Sequence, residues 1–340
     1  MNEHELQATI KELVVVGKGI LAADESVKTA AKRLQSIGVE STPETRRQYR
    51  QVVLTAPGME KHIVGVILYE ETLHQKTHEG VPFPKALQQK GIVPGIKVDE
   101  GLAPFNGTEE EYTKGLETLA ARLREYKKHG CRFTKWRAVY KISTTTPSEA
   151  IIRKNAEDLA HYAKICHQEG FVPIVEPEVL IDGEHSIEQC EEVTLKVLKA
   201  LYAALKKEHV ALEYTILKPS MVISGKQAKN RAGVEEVARR TVKVLKECIP
   251  SEVPSINFLS GGQSPQEATA HLNAMHTLGG NLPWYVSFSY ARALQGPALQ
   301  AWQGKDENMP KAQEVFVHRA MLNGLATQGK YNQEMERVST

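Results

Sequence analysis

The stretch YTILKPSMV, residues 214–222, sets an amine at the end of an apolar run. Lys218 follows Ile216 and Leu217 and precedes Pro219. An amine attacks a carbonyl only when neutral, and a free lysine is almost wholly protonated near neutral pH. Burial and a neighbouring cation both favour the neutral form. Lys135 is a candidate for that cation, and a lysine so placed is a Schiff-base nucleophile. Sequence alone leaves two other roles open to Lys218: a point charge for a phosphate, or an ion-pair partner for Glu176.

Lys218 is one of a set. Polar residues close one apolar run after another: Asp24 and Ser26, Lys97 and Asp99, Lys135 and Arg137, Glu176 and Glu178, Ser260, and Ser289 with Arg292. A strand-end charge turned out to solvent would explain any one of them. Three lysines, two glutamates and two aspartates on different runs supply both signs, as buried charges require. A second stretch points to an anion. In FLSGGQS, residues 258–264, Ser260, Gly261 and Gly262 follow an apolar run and precede a helix opening at Ser264. Glycines let backbone N–H groups approach an anion closely, and a helix N-terminus favours negative charge. Arg292 would add a fork of donors. A tight turn is the competing reading of the two glycines. The histidines give no metal-ligand constellation: His74 and His78 lie in a polar stretch, and His161 and His167 miss the i, i+4 spacing on their helix.

Eight apolar runs must position these residues: GILAAD (19–24), IVGVILYE (63–70), VPGIKVD (93–99), FTKWRAVY (133–140), FVPIVEPE (171–178), YTILKPS (214–220), SINFLSG (255–261) and PWYVSFSY (283–290). Several are nearly unbroken, which suits parallel strands buried on both faces. Amphipathic stretches separate them. YTKGLETLAARLREYKKHG (112–130) puts Leu116, Leu119, Ala120 and Leu123 on one helical face and stops at Gly130. Residues 187–209 and 234–249 repeat the pattern. SPQEATAHLNAMHTLG (264–279) opens with Ser264 as N-cap, Pro265 at the first helical position and Glu267 three residues on, a capping box. Eight strand-then-helix units predict a (β/α)8 TIM barrel, an α/β fold, as a single domain over 1–340 with a short tail at about 332–340. An open doubly wound sheet would be favoured by a GxGxxG turn after the first strand, and there is none. In a barrel the site forms at the C-terminal ends of the strands, so the polar residues above converge on one mouth.

The bulk numbers agree with a soluble globular protein. The apolar and charged fractions, 41% and 25%, are ordinary, and a net charge of +2 points to no nucleic-acid or membrane partner. Cys131, Cys166, Cys190 and Cys248 are scattered, as expected of free thiols that fill space in a reducing compartment. The N-terminal stretch has no basic leader, and Lys18 and Asp24 interrupt its apolar part, so a cytoplasmic protein is expected.

From about Leu13 to Tyr331 the chain resembles the class I, metal-independent fructose-bisphosphate aldolases. The motifs GILAADES, GIKVDEG, KWRAVYKI, VPIVEPEVL, LKPSMV, NFLSGGQS and SFSYARALQ stand in family order. The resemblance implies that Lys218 forms an imine with C2 of fructose 1,6-bisphosphate or dihydroxyacetone phosphate. It makes Glu176 the proton carrier for carbinolamine dehydration, and Asp24 the acceptor of the C4 hydroxyl proton. Lys135 would balance the charge around Glu176 and Lys218, with Glu178 in support. Ser260, Gly261, Gly262 and Arg292 would hold the C1 phosphate. Ser26, Thr29, Arg33 and Lys97 would lie toward the other phosphate, with Arg137 and Ser289 among the substrate-binding residues. The resemblance also implies no cofactor and no metal, sugar phosphates as the small-molecule partners, and a homotetramer. Other Schiff-base barrel lyases of the transaldolase type, and a non-catalytic scaffold keeping the fold, are the alternatives.

Three departures from the family stand out. Where relatives commonly have Ser-Thr-Gly-Ser, this chain has Ser26, Val27, Lys28 and Thr29, which adds a charge toward the second phosphate. Ala291 stands where many relatives have glycine. The chain ends in KYNQEMERVST, short of the mobile, tyrosine-terminated segment of animal relatives.

Overall fold

The structure is a computed structural model that describes residues 3–278 and 280–337. Ten strands form: β1 Gly19–Ala23, β2 Ile63–Leu68, β3 Val93–Lys97, β4 Leu102–Pro104, β5 Glu111–Thr113, β6 Phe133–Tyr140, β7 Val172–Val179, β8 Ile216–Leu217, β9 Ser255–Phe258 and β10 Tyr285–Tyr290. Eight of them close into a barrel in the order β1-β10-β9-β8-β7-β6-β3-β2, every pair parallel. They are the eight apolar runs read from the sequence. The helices are α1 Glu3–Leu13, α2 Val27–Gln35, α3 Pro43–Leu54, α4 Glu70–Leu73, α5 Phe83–Gln89, α6 Leu119–Lys128, α7 Glu149–Gln168, α8 Ile187–Lys207, α9 Val234–Cys248, α10 Pro265–Leu278, α11 Arg292–Trp302 and α12 Met309–Ala326.

The period-two pleat divides each strand between two cores. Outward residues such as Leu21, Val66, Ile96, Trp136, Val175, Leu217, Ile256 and Phe288 belong to the large cluster under the helices. Inward residues Ile20, Ala22, Val93, Phe133, Ile174 and Ile216 form a second cluster with Leu6 and Leu13 of α1, which plugs one end of the barrel. Phe133 fills the middle of that end. A Cβ on Gly95 of the adjacent β3 would sit 2.4 Å from its ring, and one on Gly65 of β2 would meet Leu13 Cδ2 at 2.7 Å and the ring at 3.1 Å, so both positions need glycine. Above this apolar layer the inward positions turn polar, at Asp24, Lys97, Lys135, Arg137, Glu176, Glu178, Lys218 and Ser289.

Three local readings change. The helix expected over 112–130 starts only at Leu119, and Glu111–Thr113 pairs antiparallel with Leu102–Pro104 in a small hairpin. Gly115, at φ +115° and packed on Glu100, breaks the chain between hairpin and helix, so Leu116 lies outside α6. Tyr214 belongs to a single helical turn, Leu212–Tyr214, and not to the strand. β8 itself is two residues long, and the Lys218 N–H extends its ladder by donating to Val175 O at 2.8 Å. At the other end, residues 333–336 form a turn held by Tyr331 Oη on Glu336 at 2.8 Å and by the Arg319–Glu336 pair. Residues 338–340 of the expected tail lie outside the described residues. The capping box at Ser264 forms as read, with Glu267 N–H on Ser264 Oγ and Ser264 N–H on Glu267 Oε2. All four cysteines are free thiols, three buried and Cys248 half-buried.

Candidate active site

Lys218, Glu176, Lys135 and Asp24 come from β8, β7, β6 and the end of β1, and the barrel joins them into one buried string. Lys218 Nζ lies 3.2 Å from Glu176 Oε1. Lys135 Nζ lies 3.2 Å from Glu176 Oε2 and 2.6 Å from Asp24 Oδ2. Register explains the meeting. Lys135 pairs with Ile174, so Glu176 stands one inward position above it, and β8 runs alongside through Val175 and Leu217. Two lysines and two carboxylates alternate, which neutralises charge that burial alone would not tolerate.

Burial pushes the Asp24 carboxyl up, but Lys135 and then Lys218 outweigh it and hold it well below the usual carboxylate range. Burial pushes the Lys135 amine down, and Asp24, Glu176 and Asp99 outweigh that and hold it well above the usual lysine range. In the ligand-free site Lys135 is therefore a cation and Asp24 an anion, with Glu176 shared between two amines.

Around this string lies a cleft of about 1110 Å³ at the C-terminal end of the strands. Of the residues named from the sequence, it is lined by Asp24, Ser26, Thr29, Arg33, Lys97, Lys135, Arg137, Glu176, Glu178, Lys218, Ser260, Gly261, Ser289 and Arg292. Gly262 stands just behind, and a Cβ there would lie 3.5 Å from an Arg292 Nη. Gly261 and Gly262 adopt φ of +53° and +88°, a conformation that favours glycine. Gln263 clamps this loop. Its N–H bonds Ser260 O at 3.0 Å, and its Oε1 accepts from His271 Nδ1 of α10 at 2.6 Å. Among the described residues, buried Ser289 Oγ has no hydrogen-bond partner.

The opposite wall is built differently. Arg33 is held by buried Glu25 and by Tyr49 Oη at 3.2 Å. Gln295 ties Glu25 and Tyr49 together, donating to Glu25 Oε1 at 2.9 Å and accepting from Tyr49 Oη at 2.6 Å. Lys97 pairs with Asp99 at 2.6 Å, and Arg137 with Glu178. The sequence reading named Asp99 and Glu178 without pairing them to Lys97 and Arg137, and it missed Glu25, Gln295, Gln263 and Lys32. Lys32 carries a readable signal, since it follows Lys28 by one helical turn. Gln295 acts across 246 and 270 residues and leaves no local trace, whereas Glu25 and Gln263 each meet a helix residue only eight positions on. Among the described residues, no three His, Cys, Asp or Glu side chains are grouped as metal ligands would be, and no helix is long and apolar enough to cross a membrane.

A sequence model of the family described as fructose-bisphosphate aldolase class-I matches residues 5–340. The chain is 52% identical over 334 residues to a probable fructose-bisphosphate aldolase class 1 of Xanthomonas campestris, covering 97% of this chain and 99% of the relative. It is 53% identical over 329 residues to the non-muscle-type fructose-bisphosphate aldolase of Lethenteron camtschaticum, covering 96% and 90%. In structure it is similar to fructose-bisphosphate aldolase from Plasmodium falciparum, solved in complex with TRAP and a small molecule inhibitor. That match has a TM-score of 0.95 and 48% identity, covering 97% of this chain and 95% of the other. These likenesses run the length of the barrel and take in every strand that carries the buried lysine–carboxylate string, so the chain belongs to the class-I fructose-bisphosphate aldolase family.

Proposed function

We propose that this chain cleaves fructose 1,6-bisphosphate reversibly through an imine on Lys218, with the buried string of alternating charges as its proton system. The observation that carries the reading is Glu176 held between two amines, one oxygen toward Lys218 and the other toward Lys135. Lys218 Nζ adds to the C2 carbonyl, and Glu176 carries the proton that lets the carbinolamine lose water. Asp24 takes the C4 hydroxyl proton. The C3–C4 bond breaks, its electron pair moves to the protonated imine, and glyceraldehyde 3-phosphate leaves. The enamine gains a proton at C3, water adds to the imine, and dihydroxyacetone phosphate leaves with Lys218 restored. The chain's own amine is thus the electron sink.

Lys135 balances the negative charge of Asp24 and Glu176, with Glu178 and Arg137 as a supporting pair at the rim. The Ser260–Gly261–Gly262 loop, Ser289 and Arg292 take the C1 phosphate, and Ser289 Oγ is free to bond one of its oxygens. Ser26, Thr29, Arg33 and Lys97 face the C6 phosphate. The two phosphates supply remote binding energy that orients the reacting carbons. We further infer a cytoplasmic homotetramer, tested by the mass of the intact assembly in solution. The test of the reaction is turnover of fructose 1,6-bisphosphate under exhaustive chelation, followed by borohydride trapping and peptide mapping. Retained activity with the label on Lys218 is expected. Activity lost on chelation and restored by zinc, or a label on Lys97 or Lys135, would sink it.

A further inference from the structure

The cations of the cleft divide into two kinds. Arg33, Lys97, Lys135, Arg137 and Lys218 each have a carboxylate partner. Lys28, Lys32 and Arg292 line the same cleft, are exposed, and have no ion pair among the described residues. Arg292 stands over the glycine loop. Lys28 and Lys32 stand together on α2, one turn apart.

The position of Lys28 is unfavourable for the helix itself. It is the second residue of α2, whose first turn contains no acidic residue. A cation in the first turn opposes the helix dipole. Like charges at i, i+4 repel, and Lys28 and Lys32 are such a pair. The whole of α2, VKTAAKRLQ, offers no carboxylate to relieve either effect. Both penalties vanish when an anion sits at this end of the helix, between the lysines and the Ser26–Thr29 turn. In that turn Thr29 N–H already donates to Ser26 Oγ at 3.3 Å.

We propose that Lys28 is a specificity-determining residue for the phosphate remote from the imine, acting with Lys32 to favour bisphosphorylated over monophosphorylated ketoses. The proposal rests on the reading of the reaction above, because that reading fixes which phosphate lies at α2. Lys28 trades stability of the ligand-free helix for attraction to a dianion. Exposed as it is, its contribution is moderate and screened by salt.

The test compares wild type, Lys28→Gln and Lys28→Arg on fructose 1,6-bisphosphate and fructose 1-phosphate, at about 20 mM and about 300 mM salt. At low salt the ratio of kcat/KM for the two substrates falls about threefold to tenfold in Lys28→Gln. Lys28→Arg keeps the ratio, and high salt closes the gap. The melting temperature of ligand-free Lys28→Gln rises by about 1 °C. Binding is read separately, from the thermal upshift that each sugar phosphate gives, so Lys28 is tested whether or not turnover occurs. A smaller upshift with the bisphosphate alone supports the proposal. Equal changes for both substrates, or a ratio that does not respond to salt, overturn it. Loss of turnover in the wild type would instead overturn the reading of the reaction.

Discussion

Asp24 and Lys218 occupy opposite ends of the buried string, and the mechanism gives them separable duties. In the proposed mechanism Asp24 acts only when the carbon–carbon bond breaks, whereas the imine on Lys218 forms before it. Asp24→Asn is expected to lower kcat about 10²- to 10⁴-fold, the usual reach of a general base, while borohydride still traps dihydroxyacetone phosphate on Lys218. Trapping lost together with turnover would show that Asp24 holds the site together and does no chemistry of its own. The substitution also leaves Lys135 with Glu176 as its one remaining close carboxylate. Breaking a buried pair typically costs about 3–5 kcal/mol, so denaturant melts must accompany the kinetics. In the wild type, the folded Asp24 carboxyl titrates below its ordinary value. Its stabilising contribution is therefore complete above about pH 4 and is lost as the pH falls through the lower folded value.

At the scale of elements, the apolar end of the barrel is set by one ring and the glycines beside it. Phe133 of β6 lies against Gly95 of β3, where a Cβ would collide with the ring, while at Gly65 of β2 a Cβ would collide with Leu13 of α1 and crowd the same ring. Gly95→Ala is expected to cost about 1–3 kcal/mol through overpacking, read from urea melts. Adding Phe133→Leu should recover part of that loss, because the smaller side chain relieves the collision. If the two changes add independently, the ring is not what excludes the methyl group. The loop after β9 shows the opposite arrangement, a flexible segment fixed from outside. His271 of α10 reaches back to Gln263, and an amide oxygen only accepts, so Nδ1 carries the proton. Arg231 and Glu267 are the charged groups near this histidine.

For the whole molecule, His271 makes stability depend on pH. Burial pushes the imidazole down to about 4, with Glu267 opposing weakly and Arg231 assisting. The unfolded chain takes up this proton near pH 6.5 and the folded chain only near pH 4. The contribution of His271 is therefore complete above about pH 6.5, falls as the pH drops toward 4, and amounts to up to about 3 kcal/mol across that window, alongside His62, His167, His185 and His276, which burial also pushes down. His271→Gln should flatten that stretch of the curve in thermal melts. A curve of unchanged slope would assign the acid limb to other groups.

Much of this molecule is legible in the sequence. Eight apolar runs alternating with amphipathic stretches predict the barrel because strand and helix periodicities are local properties, written residue by residue. The same runs end on the lysines and carboxylates of the candidate site, so a barrel of parallel strands had to gather them at one mouth. Where local signals conflicted, the reading failed. Gly115 divided an apparent helix, and Tyr214, at the head of the run that forms β8, went into a helical turn instead. Barrel closure and register alone decided which charges meet. The sequence offered Glu176 as one possible partner of Lys218, but only the register placed them together and set Lys135 between Glu176 and Asp24. Nor does any local pattern tie Arg33 to Glu25, or Gln263 to His271. It was likewise the fold that left Lys28 without a carboxylate. A charge's partner is set by distance in space, and sequence records only distance along the chain.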